Sequence, residues 1–275
     1  MRQMLRETGM GRTAAIEMEA GHGRDEVRMA VHPDAGGRVG SLEIGATRVL
    51  RDDPSVGALM WGIYPMVPWA GRVRHGEFMF DGIARQLPVN LPPHAIHGTV
   101  FEAEWEVVDA GRDYCELRCP LEWEFGGVAH QHVHLHPDGA TLVLTAAATG
   151  EAMPAVVGWH PCFVKPLAAD LRFARMHVRD QDGVALADLV PPAEHPWDDC
   201  FVEPLAPLRL HYDALALTIG SDCANWVVYD EPADTTCVEP QSGPPDAFNI
   251  GGATRLEPGA ILQRTMTLTW ARPTK

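Results

Sequence analysis

A carboxylate and an imidazole, each set beside a proline, are the residues of this chain best suited by type and neighbourhood to move protons. Glu239 lies in Thr236-Cys237-Val238-Glu239-Pro240-Gln241-Ser242-Gly243-Pro244-Pro245-Asp246-Ala247-Phe248-Asn249, where an apolar, strand-like approach runs into three prolines and a glycine. Proline lacks an amide hydrogen and has a fixed φ, so helix and ladder pairing both stop there. The expectation is a rigid loop holding one acid at a strand end. His160 lies in Gly158-Trp159-His160-Pro161-Cys162-Phe163, after a strand-like run from Pro154 to Trp159. Pro161 is expected to end the pairing and fix the backbone behind the imidazole, which suits a general acid or base.

The chain has 13 histidines, and they need sorting. His130, His132, His134 and His136 alternate, so on a strand all four share one face. Such a row reads as a solvated strand face or as part of a metal site of the cupin type, although no glutamate follows closely to complete a ligand set. His97, in Pro92-Pro93-His94-Ala95-Ile96-His97-Gly98-Thr99, is held by the prolines before it and the glycine after it. Asp198 stands beside Asp199 in a loop-like acidic segment, and Arg72 and Arg74 are guanidinium donors suited to sugar or carboxylate oxygens.

To position these groups the chain has 275 residues, enough for one large all-β domain or two ordinary ones. Hydrophobic residues at 46% and charged residues at 21% describe a globular composition. No apolar run approaches the roughly 18–20 residues that span a bilayer, and the first residues lack the apolar stretch of a secretory signal, so the expected location is the cytoplasm. A formal charge of −15 disfavours nucleic acid and anionic membranes and is easier to reconcile with a small neutral ligand. The six cysteines are scattered without a Cys-x-x-Cys pair or a zinc-like grouping and read as reduced, buried small hydrophobes.

Residues 1–24, with four glycines and no period, are expected to form a loose N-terminal extension, and 25–275 one β domain. Alternation predicts a hairpin from Val27–Val31 and Val39–Ile44, and further strands near 105–109, 114–119, 129–136, 142–148, 216–219, 226–229, 236–238 and 261–270. Residues 60–69 are expected to be buried but irregular, and 180–199 a long surface connection. The fold class that follows is all-β and antiparallel, a sandwich or a wide barrel.

Several motifs then fall into one order: Met66-Val67-Pro68-Trp69-Ala70-Gly71-Arg72-Val73-Arg74, Ala95-Ile96-His97-Gly98, Gly158 to Phe163, Asp198-Asp199-Cys200-Phe201, Glu239 to Asn249, and Leu256-Glu257-Pro258-Gly259. In that order and spacing they resemble the aldose 1-epimerases, or galactose mutarotase-like proteins, over residues 26–271. The resemblance implies a large antiparallel β-sandwich with an open sugar-binding groove, no cofactor and no metal, and interconversion of α and β anomers. It further implies Glu239 as general base, His160 as general acid, and Arg72, His97 and Asp198 as sugar-binding residues. The acid and base are expected on opposite sides of the C1–O5 unit, about a sugar ring apart. Thr99 and Gly71 stand where the family often has glycine and asparagine, in the part of the groove that bears on which sugar is taken. Two other readings stay open: a sugar-binding or sensing module without turnover, and a mutarotase for a phosphorylated or sulfonated sugar in which Arg74 or Arg85 meets the anion.

Overall fold

Alternation along the sequence becomes alternation of buried and outward side chains. In the computed structural model, which describes residues 14–23 and 26–272, the strand Val128–His136 buries Ala129, Gln131, Val133 and Leu135 while its four histidines point outward. Ile261–Ala271 likewise buries Leu262, Met266 and Leu268 and turns its threonines the other way. Each strand thereby contributes one apolar face, and the faces meet in a core shared by two large antiparallel sheets.

Among the described residues the first sheet has 11 strands. Its order is Ile16–Ala20, Val27–His32, Arg38–Ile44, Ile63–Met66, Gly158–Val164, Thr235–Gln241, Asn225–Tyr229, Asp198–Pro204, Phe173–Arg179 and Ala185–Val190, with Thr47–Arg48 attached to the third of these. The second has eight, running Glu106–Ala110, Tyr114–Pro120, Val128–His136, Gly139–Ala147, Ile261–Ala271, Leu215–Ser221, Leu208–Tyr212 and Ala168–Asp170. Both sheets are open at their ends, so the fold is a sandwich and not a barrel. Among the described residues no helix is long and apolar enough to cross a membrane.

The middle of the first sheet is covered on both faces. Every residue of Thr235–Gln241 is buried, and so is Gly158–Val164 except for its last residue. A buried guanidinium helps to pin the covering segment. Arg38 is 1% exposed and donates to the carbonyls of Ala35, Ala58, Trp61 and Phe101 at 2.7–2.9 Å. Four acceptors satisfy the planar fork without a carboxylate, and they tie the 58–61 segment to the sheet.

Several expectations are corrected. Ile16–Ala20, placed in a loose extension, is a strand paired with Val27–His32; residues 1–13 and 24 of that stretch lie outside the described residues. Ile63–Met66, within the segment expected to be irregular, is a central strand. The supposed surface connection contains Ala185–Val190, which pairs with Phe173–Arg179 at the sheet edge, and Asp198 begins a strand rather than sitting in a loop. Edge strands need bury little, so Ala185–Val190, though apolar at every position but Asp188, buries only Ala185 and shows no alternation of apolar and polar residues.

Candidate active site

Neither proline ends its strand. Gly158–Val164 runs through Pro161, and Thr235–Gln241 runs through Pro240. The two strands pair antiparallel at Gly158↔Gln241 and Cys162↔Cys237, with no bonded pairs between. That gap is where the prolines lie, because neither has an amide hydrogen to donate. The register across it sets His160 directly opposite Glu239. Side chains two apart share a face, so Gly158, His160 and Cys162 on one strand meet Gln241, Glu239 and Cys237 on the other. At Gly158 an added Cβ would come within 2.6 Å of the Pro240 carbonyl oxygen, so only glycine lets the strands close here.

The result is a contact. His160 Nε2 lies 3.2 Å from Glu239 Oε1, with the histidine 6% and the glutamate 2% exposed. The expectation of groups a ring's width apart in a loop and a strand end is therefore corrected: they are cross-strand neighbours in mid-sheet. Gln241 Nε2 donates to the other carboxylate oxygen, Oε2, at 3.1 Å. On the far side of the imidazole, Tyr64 from the neighbouring strand stacks on His160 with centroids 4.7 Å apart and planes 13° apart. Cys162 Sγ lies 3.5 Å from His160 Nδ1. The ring is thus fixed on a face and at both nitrogens.

Burial and charge then oppose each other. Burial pushes the Glu239 carboxyl up to about 7, with the His160 charge pulling it down and Asp198 adding to the rise. For His160 burial pulls down, but the Glu239 carboxylate and Cys162 outweigh it, and the imidazole rises to about 9. Between those values the pair exists as carboxylate and imidazolium.

All five residues singled out in the sequence line one pocket of about 370 Å³, together with Leu59, Tyr229, Glu231 and Gln241. His97 enters on the Ala95–His97 side, at φ +61, followed by Gly98 at φ +78. An added Cβ on Gly98 would come within 1.9 Å of the Val67 carbonyl oxygen, so glycine is required for the chain to pass. His97 Nδ1 accepts the Gly71 amide at 3.3 Å, which leaves its proton on Nε2. Burial, then the charges of His160 and Arg72, hold His97 well below the usual imidazole value, so it is a neutral donor. Asp198 Oδ2 lies 2.7 Å from Arg179 and 3.6 Å from Arg72, and Arg72 also donates to the Gly183 carbonyl. Burial raises the Asp198 carboxyl, and the two guanidiniums oppose that rise.

Arg74 and Arg85 do not face this pocket. They line a separate cavity of about 470 Å³, where Arg74 meets Asp180, Asp182 and Asp246 and Arg85 meets Glu124. The histidine row is also elsewhere, on the outer face of the second sheet. Among the described residues only one group offers three ligand atoms close enough for one ion: a ring nitrogen of His160, Cys162 Sγ and Cys237 Sγ lie within 4.8 Å of one another. Cysteines scattered along the sequence thus do form a cluster. It is closed by its own hydrogen bonds, with Cys237 Sγ donating to Cys162 Sγ at 3.9 Å. Sequence reasoning also passed over Gln241 and Tyr64. The signal for Gln241 was its place two residues beyond Glu239; Tyr64 carried none.

A family model described as aldose 1-epimerase matches residues 24–269, nearly the whole described chain. The chain belongs to the aldose 1-epimerase family. Its relative in Escherichia coli (strain K12), the uncharacterized protein YphB, is 32% identical over 147 residues, 50% of this chain and 49% of that one. This chain thus spans about half the length of the curated relative it matches. Solved structures extend the likeness of fold across the molecule. An Escherichia coli K12 protein put forward as an aldose 1-epimerase superposes with a TM-score of 0.81 at 21% identity, covering 94% of this chain and 100% of that one. The galactose 1-epimerase of Lactobacillus acidophilus NCFM gives 0.79 at 14% identity, with 98% of each chain covered. The epimerase fold is therefore present with its sandwich intact.

Proposed function

We propose that this protein is an aldose mutarotase, an isomerase that interconverts the α and β anomers of a free aldose with Glu239 as base and His160 as acid. The observation that carries this reading is the 3.2 Å contact between His160 Nε2 and Glu239 Oε1 on the floor of the pocket. In a cyclic aldose the anomeric hydroxyl oxygen O1 and the ring oxygen O5 are bonded to the same carbon. A proton acceptor and donor serving both must therefore be neighbours, and a ring's width between them would be too far.

The carboxylate takes the proton of O1–H while the imidazolium gives its Nε2 proton to O5. The electron pair of O1–H becomes the carbonyl π bond, the C1–O5 bond breaks, and the sugar opens to an aldehyde. After rotation about C1–C2, O5 attacks the other face of C1. His160 takes back the O5 proton, Glu239 returns its proton to O1, and both groups end as they began. Each positioned proton-transfer group contributes roughly 10²- to 10⁴-fold. Substrate replaces the contact between the two residues, so each exchanges one hydrogen-bond partner for another without leaving a buried charge unpaired.

The remaining residues bind and orient. Gln241 fixes the second oxygen of Glu239, Tyr64 fixes the plane of His160, and His97 presents Nε2–H to a sugar hydroxyl. Arg72 and Asp198 offer a donor and an acceptor already aimed at each other across the pocket wall. An uncharged sugar is favoured over a phosphorylated or sulfonated one. Arg72 is the pocket's lone guanidinium among the described residues and shares its charge with Asp198, while Glu231 and Glu239 add carboxylates. Polarimetry on freshly dissolved α-anomers of a panel of aldoses, beside the matching sugar phosphates, tests the reading. Faster equilibration of at least one neutral aldose supports it; sugar binding without any effect on anomer exchange would favour a module that only binds.

A further inference from the structure

Beneath the pocket floor lies a pair of thiols that the proton-transfer scheme does not use. Cys162 and Cys237 stand opposite each other in the register of the two site strands, with their sulfurs 3.9 Å apart and both residues 0% exposed. The Cys162 amide donates to Gly62 O and its carbonyl accepts from Arg51 N, so both of its backbone groups face away from Cys237. The two cysteines are therefore a non-hydrogen-bonded antiparallel pair. Such pairs hold their Cα atoms about 4.5 Å apart, inside the roughly 4.4–6.8 Å range that a disulfide spans. Each of the other four cysteines is also a buried free thiol, but this pair alone, among the described residues, has a sulfur–sulfur contact.

We infer that Cys162 and Cys237 form a reversible disulfide that switches off the acid/base pair beside them. The Cys237 S–H hydrogen bond holds Cys162 below the usual thiol value against burial, with the His160 charge helping; Cys237 itself is pushed well above. The attacking and resolving roles are thereby divided. Cys162 Sγ touches His160 and lies 3.6 Å from the carbonyl oxygen of Leu59. Both residues line the pocket, so the thiol is one layer below it. Because both cysteines are fully buried, the oxidant proposed is one as small as hydrogen peroxide. The Cys162 thiolate attacks one peroxide oxygen, the O–O bond breaks, and sulfenic acid and hydroxide form. The Cys237 sulfur then attacks the sulfenic sulfur, and its thiol proton, with the released oxygen, leaves as water. In sum two thiols and one hydrogen peroxide give one disulfide and two waters.

Closing the bond draws the sulfurs from 3.9 Å to about 2 Å and removes the thiol or thiolate that meets His160 Nδ1. The imidazole then loses one of its supports and the nearby negative charge that keeps it protonated. The switch rests on the proposed acid role of His160 for its effect on rate, but the bond itself is read independently of activity. The experiment treats the reduced full-length protein with hydrogen peroxide, maps its peptides by mass, and follows anomer exchange. The expected result is a cross-linked peptide pair joining Cys162 to Cys237 with the loss of two hydrogens. Activity falls by roughly 10²-fold, the lower end of one positioned acid's contribution, and dithiothreitol restores it. Cys237→Ala, compared with its own untreated rate, resists reversible inactivation and forms no cross-link. Peroxide that leaves both thiols free, or that inactivates Cys237→Ala as readily and reversibly as the wild type, overturns the proposal. So does inhibition that requires added zinc and is reversed by a chelator without any cross-link. If the wild type shows no anomer exchange, the cross-link still decides the thiol chemistry while the proposed reaction fails.

Discussion

Two strands of this protein carry histidine as their conspicuous residue, one in each sheet, and they differ in every respect that matters for proton transfer. Val128–His136 sets four histidines on an outward face, opposite Tyr114, Glu116 and threonines of its neighbours. Its closest acid is Asp113, 3.9 Å from His134 and half exposed. Gly158–Val164 carries a single histidine, buried, stacked on a tyrosine and 3.2 Å from a buried carboxylate. Abundance marks the first strand and environment the second. Only in the second does burial set desolvation against a fixed opposite charge, and that competition raises both groups into the range where they can exchange protons near neutral pH.

The comparison can be broken by substitution. His160→Asn removes the acid and should lower the anomer-exchange rate by roughly 10²- to 10⁴-fold with the fold intact by circular dichroism. The pH dependence is the next largest effect. As pH falls below about 7 Glu239 takes up a proton and the base is lost; as it rises above about 9 His160 gives up its proton and the acid is lost. The profile of kcat/KM should be bell-shaped, its limbs falling about tenfold per unit and belonging to the pair rather than to one residue. A monotonic profile through this window would separate the two groups. Asp198→Asn should act mainly on binding, raising KM roughly tenfold with kcat little changed, as for one weakened charge-assisted hydrogen bond. At the small end, His132→Ser with His134→Ser should leave the rate unchanged and stability within about 0.5 kcal/mol, as for surface positions whose ring and ion-pair contacts are solvent-exposed. A large loss there would return function to the outward row.

How much of this was legible beforehand follows the same division. Residues flagged by local chemistry, Arg72, His97, His160, Asp198 and Glu239, do meet in one pocket, and alternation located most of the outer-sheet strands. What sequence could not supply was register. Pro161 and Pro240 read as strand ends because proline cannot donate to a ladder, yet the sheet leaves a short gap opposite both and continues. Only that pairing puts Cys162 against Cys237, Gln241 beside Glu239, and Tyr64 on the face of His160. Ala185–Val190 went unread for another reason, since an edge strand is not required to alternate and this one runs apolar at every position but Asp188 inside an acidic, proline-bearing stretch.

The central claim is that Glu239 and His160 act on one hemiacetal as a touching base and acid. It is tested most directly by NMR exchange spectroscopy on an equilibrated neutral aldose with wild-type protein and with Glu239→Gln. That substitution keeps the size of the side chain and removes its charge. Wild type should accelerate exchange between the anomers, and the variant should fall by roughly 10²- to 10⁴-fold while still binding the sugar. Full exchange activity in Glu239→Gln would contradict the claim.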